Sequence, residues 1–257
     1  MATIDQIEEY VRRRDFTDYI MPVWLPFLPI ILSLTTFLWF FIMLIIYGDR
    51  RTYYFEYYYN YTYNLEAEEI IYGFLGIYLV LTILALAINV YIVYKWIWRR
   101  NEHFKRQKLL FNAVKNFLKS KGLEVSRLEA ICMEIDIEEN EKNAVLWALV
   151  QFIPYVGGFL LIYVYHFLNK DFYKHEKREE HFLNALSTTL SKAGIEFNYI
   201  RYSSIPDRST ILYFVLSLVT LGFFGLYWVY TLTKDPNNHF MEHRRWEDLM
   251  ISALKRL

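Results

Sequence analysis

Asn101-Glu-His-Phe-Lys-Arg-Gln107, Asn169-Lys-Asp-Phe-Tyr-Lys-His175 and Asn237-Asn-His-Phe-Met-Glu-His243 are three occurrences of one string, N-x-[HD]-F-x-x-[QH], set 68 residues apart. The shared positions are Asn101, His103, Phe104 and Gln107, then Asn169, Asp171, Phe172 and His175, then Asn237, His239, Phe240 and His243. Before each occurrence lies an apolar stretch rich in Tyr and Trp, and after each lies an amphipathic one. The chain therefore reads as about three tandem units of 68 residues, each a membrane segment followed by a surface helix. The shared residues form no recognisable catalytic constellation.

Working outward, apolar residues make up 55% of the 257 and aromatics 19%, beside 28 basic and 28 acidic side chains. That balance fits neither a soluble domain nor a disordered chain. The apolar residues gather in four runs, 22–47, 70–98, 144–168 and 210–232. Each exceeds the ~20 residues that cross a hydrocarbon core at ~1.5 Å per residue. The expected fold is all-α: a polytopic membrane protein with four membrane helices and amphipathic interfacial helices. Around the spans lie a cytoplasmic tail at 1–21, an external loop at 48–69, helical connectors at 99–143 and 169–209, and a carboxy-terminal amphipathic helix at 233–257.

The first run begins behind a charged, helix-like segment and lacks a small-residue cleavage site, so it reads as an anchor. Lys and Arg number eighteen on one alternate set of connectors and nine on the other. This bias puts both termini and the 99–143 connector in the cytoplasm of a multi-pass cell-membrane protein. The loop on the other side carries the sequon Asn60-Tyr-Thr62, a glycosylation candidate, inside a Tyr-rich stretch, 52–63. Such a cluster suits the headgroup layer or, alternatively, a cap on a partner. Abundant Tyr, Ile, Glu and Lys with few Gln suggest a thermophilic prokaryote, an archaeon. Cys132 is the sole cysteine, so no intramolecular disulfide can form. Zero net charge argues against nucleic acid as a partner.

Downstream of the first string, Phe104, Phe111, Val114 and Leu118 recur at helical spacing, as do Phe182, Leu183, Leu186 and Leu190, and Trp246, Leu249, Met250, Ala253 and Leu254. These faces can float in the interface or pack on one another. Gly122 and Gly194 are expected to cap the first two helices in the left-handed conformation. Single crossings would make consecutive units antiparallel, with the middle string outside. The competing topology turns each run back as a re-entrant hairpin, with breakers at Pro154 to Gly158 and Thr220 to Gly225. The expectation is single crossings.

Thr220-Leu-Gly222-Phe-Phe-Gly225-Leu-Tyr227-Trp228, followed by a His-bearing amphipathic helix, resembles a family of small prokaryotic membrane domains of unknown function. Those domains share a T-x-G apolar segment ending in Tyr-Trp. The likeness is best over 211–254 and weakens upstream, where Leu86 and Pro154 stand in place of Gly222. It implies a membrane location and no assigned chemistry.

Neither H-E-x-x-H nor a phosphate-binding Gly-rich loop is present. Asn89, Gln151 and His166 are the amide and imidazole residues inside the runs, with Lys95 near an end, and no carboxylate is placed for proton coupling. His239 and His243 have the i,i+4 spacing of a two-histidine metal site, with Glu242 and Glu247 nearby and Glu180 and His181 echoing them. No single copy supplies a third and fourth ligand, so no metal, cofactor or catalytic residue is expected. The reading is a non-enzymatic scaffold or assembly subunit whose partners are membrane lipids and either further copies of itself or another membrane protein. A homo-oligomeric channel using Asn89, Gln151, Gly157, Gly158, Gly222 and Gly225 is the alternative. A metal-dependent membrane enzyme is a second one.

Overall fold

The computed structural model describes residues 3–54 and 63–257, with side chains over 3–45 and 72–257. Asn60 and most of the Tyr-rich stretch lie outside them. The described residues are all-helical: α1 (Ile4–Arg12), α2 (Arg14–Thr17), α3 (Leu28–Tyr54), α4 (Tyr63–Ser120), α5 (Ser126–Glu138), α6 (Ala144–Leu149), α7 (Gly157–Lys192), α8 (Thr210–Val219) and α9 (Phe223–Leu254). Thr3, Asn143 and Ser209 start α1, α6 and α8 by accepting a backbone N–H on the side-chain oxygen. The chain divides into two compact units, Trp24–Ile92 and Met1–Val23 with Val93–Leu257.

In the unit Trp24–Ile92, α3 pairs with the first part of α4. Trp39 packs on Phe74 at 4.8 Å and Phe40 on Tyr78 at 6.3 Å. The hydroxyls of Ser33, Thr35, Thr36 and Thr82 donate to carbonyls of their own helices. Those four hydroxyls thus need no water on a largely apolar surface. Leu25–Ile45 and Tyr72–Ser120 are long and apolar enough to cross a membrane.

The second unit is built on α7, α9 and the later part of α4, which run parallel. Residue numbers rise together through successive ring contacts: Trp96 with Tyr165, Tyr165 with Trp228, Phe104 with Phe172 and Phe240, Phe111 with Phe182 and Trp246. The amphipathic stretches do pack on one another. Phe111, Val114 and Leu118 join Phe182, Leu186 and Leu190 and Trp246, Met250 and Leu254 in one core, while Leu249 stays exposed. Ile7 and Val11 of α1 and Leu128, Cys132 and Ile135 of α5 close it. The amino-terminal segment is thus part of the core. Gly122 and Gly194 have φ of 77° and 76°, and Leu123 and Ile195 return N–H bonds to Leu118 and Leu190, ending both helices in the same Schellman turn.

The four-span expectation is corrected here. Run 144–168 is α6, a short 3-10 turn (Val150–Phe152), a bend and the start of α7; run 210–232 is α8, a bend at Thr220 to Gly222 and the start of α9. Pro154 holds Ile153 extended, at φ −72° and ψ 118°, which stops the helix. Gly157 then passes so close to the incoming arm that a Cβ there would lie 2.5 Å from the Gln151 carbonyl oxygen. At the second bend Leu221 and Gly222 take φ of 50° and 94°. Both runs turn back, and the parallel long helices bring all three strings to one place. The alternation that single crossings require, with the middle string on the opposite side, does not occur.

Candidate metal centre

Each long helix presents the last positions of its string to a common axis. Phe104, Phe172 and Phe240 form one buried layer, with Ile205 against it. Next to this layer, the i,i+4 spacing sets His239 above His243 on α9 and His175 above Glu179 on α7, while α4 supplies His103. The four imidazoles are buried, and one ligand atom from each lies within 4.8 Å of all the others. His239 Nε2 is 3.2 Å from His103 Nε2 and 3.1 Å from His243 Nε2. Glu179 Oε2 is 2.8 Å from His243 Nε2, 3.5 Å from His239 Nε2 and 4.0 Å from His175 Nε2.

Every one of these rings has a carboxylate on its other nitrogen. His103 Nδ1 meets Asp18 at 2.9 Å, His175 Nδ1 meets Glu139 at 2.9 Å, His239 Nδ1 meets Glu176 at 3.2 Å and His243 Nδ1 meets Glu247 at 3.2 Å. A carboxylate accepts, so at His103, His175 and His239 it favours the proton on Nδ1 and an inward Nε2 lone pair, whereas His243 has Glu247 at Nδ1 and the nearer Glu179 at Nε2. Four Nε2 atoms and the Glu179 oxygen then converge, an electron-rich arrangement that a cation at the centre suits. Four nitrogens at ~2.1 Å from a tetrahedral ion would stand about 3.4 Å apart, near the 3.1 and 3.2 Å that separate His239 from His243 and His103, within a set that lies inside 4.8 Å.

Guanidinium groups hold the carboxylates. Arg106 joins Asp18 at 2.7 Å to Glu247 at 2.6 Å; Arg201 joins Glu176 at 2.9 Å to Glu179 at 2.6 Å; Arg178 reaches Glu139 at 3.0 Å. Arg14 approaches Glu247 from the surface at 3.6 Å. Five buried carboxylates face the buried guanidiniums of Arg106 and Arg178 and the partly buried ones of Arg201 and Arg14, so with neutral imidazoles and all five carboxyls ionised the centre carries one excess negative charge. Burial pushes each carboxyl up, but neighbours outweigh it at four of them. His103 and Arg106 hold Asp18 well below the usual range, His175 and Arg178 hold Glu139 at about 2, His239 and Arg201 lower Glu176, and His243 and Arg201 keep Glu179 ionised. At Glu247 burial prevails, and the carboxyl is pushed up to about 7. Burial holds His243 well below the ordinary imidazole range, in the neutral form a metal needs.

The other residues singled out in the sequence have plain places. Asn101 clamps the backbone of Lys142, with bonds of 2.6 and 3.2 Å, and Asn237 clamps that of Met21, with bonds of 2.7 and 3.1 Å. Each ties a motif to the segment leading into an apolar arm. Asn169 is buried and its Nδ2 has no hydrogen-bond partner among the described residues. Asp171, at the position held by His103 and His239, pairs with Arg100 at 2.9 Å instead. Gln107 contacts His243 Nδ1. Glu180 pairs with Lys177 and His181 is exposed, so neither belongs to the centre. Glu242 is buried against Tyr199 at 2.8 Å. Asn89 lines a groove between α3 and α4, Gln151 donates to the Ala148 carbonyl, and His166 meets Thr210 at 2.7 Å. A Cβ at Gly158 or Gly222 would meet open space, and at Gly225 only the Ser217 side chain at 3.7 Å.

Sequence reasoning missed Glu179, Glu139 and Asp18. The signal for the first was H-x-x-x-E, which occurs at His175 with Glu179 and again at His243 with Glu247. For Asp18 and Glu139, which reach the centre from segments outside the repeated strings, there was none. Residues 208–251 match the model of a domain of unknown function, DUF4234. No curated protein and no solved structure matches the chain. The matched stretch ends the third unit and contains both His239 and His243, so it is similar to that family over one part of the centre.

Proposed function

We propose that the protein is a membrane-anchored scaffold whose three units are locked around one divalent first-row transition ion. The observation that carries this reading is the set of four buried imidazoles converging within 4.8 Å, each with a carboxylate at Nδ1. His103, His175, His239 and His243 would ligate the ion, and Glu179 Oε2 would take a fifth position. Imidazole and carboxylate donors suit zinc, iron, nickel or copper, whereas magnesium and calcium prefer oxygen alone. All five donors are buried, so the site is closed in the manner of structural metal sites, with no position turned to solvent for a substrate. The two helices able to cross a membrane supply the anchor.

The test is metal analysis of detergent-purified protein prepared without chelator, followed by cobalt(II) titration of the stripped form. About one equivalent per chain and cobalt absorption bands that vanish in H175A/H243A are expected. Purified protein without stoichiometric metal, and no cobalt spectrum, would overturn the proposal.

A further inference from the structure

We infer that the two helical hairpins, 144–168 and 209–233, enter one leaflet of a bilayer, turn inside it and leave by the side they entered, with lipid acyl chains covering their tips. The tips are Tyr155, 99% exposed, and Leu221, 90% exposed, flanked by exposed Phe159, Val219 and Phe223. No Asp, Glu, Lys or Arg lies between Ala144 and Asn169 or between Ser209 and Thr233. Because α7 and α9 are parallel, both tips project from the same end of their unit.

Length fits half a bilayer. Helix α8 has 10 residues, about 15 Å at helical rise, against a hydrocarbon core of about 30 Å. The bases of the hairpins carry the layers of a membrane interface. Trp147, Tyr163, Tyr213 and Tyr227 come first, then Lys142, Lys170, Arg208 and Lys234. Lys142 lies over the Phe167 ring at 4.6 Å and Arg208 over Tyr213 at 5.8 Å, so the cations sit at the edge of the apolar surface.

The polar groups of the bends point to hydrocarbon as the surrounding medium. Thr220 Oγ1 donates to the Leu216 carbonyl at 2.8 Å and accepts from the Phe224 N–H at 2.9 Å. Ser217 donates to the Tyr213 carbonyl at 2.7 Å and Gln151 to that of Ala148 at 2.6 Å. The N–H groups of Val156, Gly157, Leu221, Gly222 and Phe223 all bond within their own hairpin. Water would satisfy such groups at no cost, whereas lipid cannot, and the groups named here are satisfied internally, the exposed Tyr155 side chain standing apart.

The experiment uses full-length C132A protein carrying one new cysteine, Y155C or L221C, with M133C as a control on an exposed face of α5. Since Tyr155 and Leu221 make no core contact, the fold should survive, and circular dichroism checks it. In reconstituted vesicles, a membrane-impermeant maleimide applied from either side should label M133C and leave the other two unlabelled until denaturation. A fluorophore attached at 155 or 221 before reconstitution should be quenched more by lipids brominated near the chain end than by those brominated near the headgroup. Labelling of 155 or 221 from the face opposite to 133 would mean a crossing, and labelling from the same face would mean an aqueous tip. Protection without lipid quenching would mean a protein cover, such as a second copy. Each of these three results overturns the inference.

Discussion

Pro236 sits inside α9, where it cannot donate to the Leu232 carbonyl one turn back. Arg99, fully buried, supplies the missing donor: its Nη2 lies 2.7 Å from the Leu232 oxygen, and its Nη1 lies 2.9 Å from Asn237 Oδ1. The charge of Arg99 thus serves a helix irregularity that a proline created. R99M should cost about 1 to 3 kcal/mol by leaving that carbonyl orphaned. R99M/P236A should be less destabilised than the sum of the two single changes, because replacing the proline restores a backbone N–H; thermal unfolding of the four proteins measures the coupling. Strict additivity would count against this account. Cys132 offers a second check at this scale. Burial pushes its thiol up to about 11, so maleimide should leave it unmodified in the native protein and label it on unfolding. At this scale the sequence was legible only in part. The i,i+4 pair His239 and His243 was visible, but the ligands that complete it stand 64 and 136 or more residues away in sequence and come from different string positions. Asp171 and Gln107 hid the pattern further by replacing histidine in two of the six symmetric places.

Among the elements, the long helices, the amphipathic faces and the Schellman endings at Gly122 and Gly194 follow directly from periodicity and turn chemistry. The hairpins do not, because hydropathy measures how apolar a run is and not where it bends. A run of 25 apolar residues satisfies a single span and a folded-back pair equally, and only the breakers tell them apart. Pro154 with Gly157 and Leu221 with Gly222 are those breakers. The two adjacent glycines at the first bend should therefore respond oppositely. G157A forces a Cβ into the Gln151 backbone and should lower stability by about 1 to 3 kcal/mol. G158A meets open space on a helix and should be neutral or stabilising by up to about 1 kcal/mol. Equal effects in a thermal assay would remove the close approach as the reason for Gly157. Gly222 differs again: its Cβ would meet nothing, and its φ of 94° is what constrains it.

For the molecule as a whole, the centre is the point where α4, α7, α9, the amino-terminal segment carrying Asp18 and the strap carrying Arg201 all meet. Stripping the ion should loosen all of them together, since it would leave inward lone pairs and excess negative charge uncompensated. At free metal 1,000-fold above its dissociation constant, linkage would supply about 4 kcal/mol of stability. Chelator treatment should accordingly lower the midpoint of thermal unfolding, and restored metal should return it. Acidification should release the ion, because protons compete for the imidazoles. An unchanged midpoint after complete stripping would show that the ion carries none of the stability. One consequence concerns how such a chain is made. Arg106 meets Glu247 across 141 residues and His103 meets His239 across 136, so no partial product of translation can complete the cluster. While the third unit is still unmade, a nascent chain holds arginines, glutamates and histidines shaped for burial with nothing to bury them. Until the last of the three is synthesised, those groups stay open to water and to wrong pairings, so folding of this unit is expected to follow completion of the chain rather than accompany it.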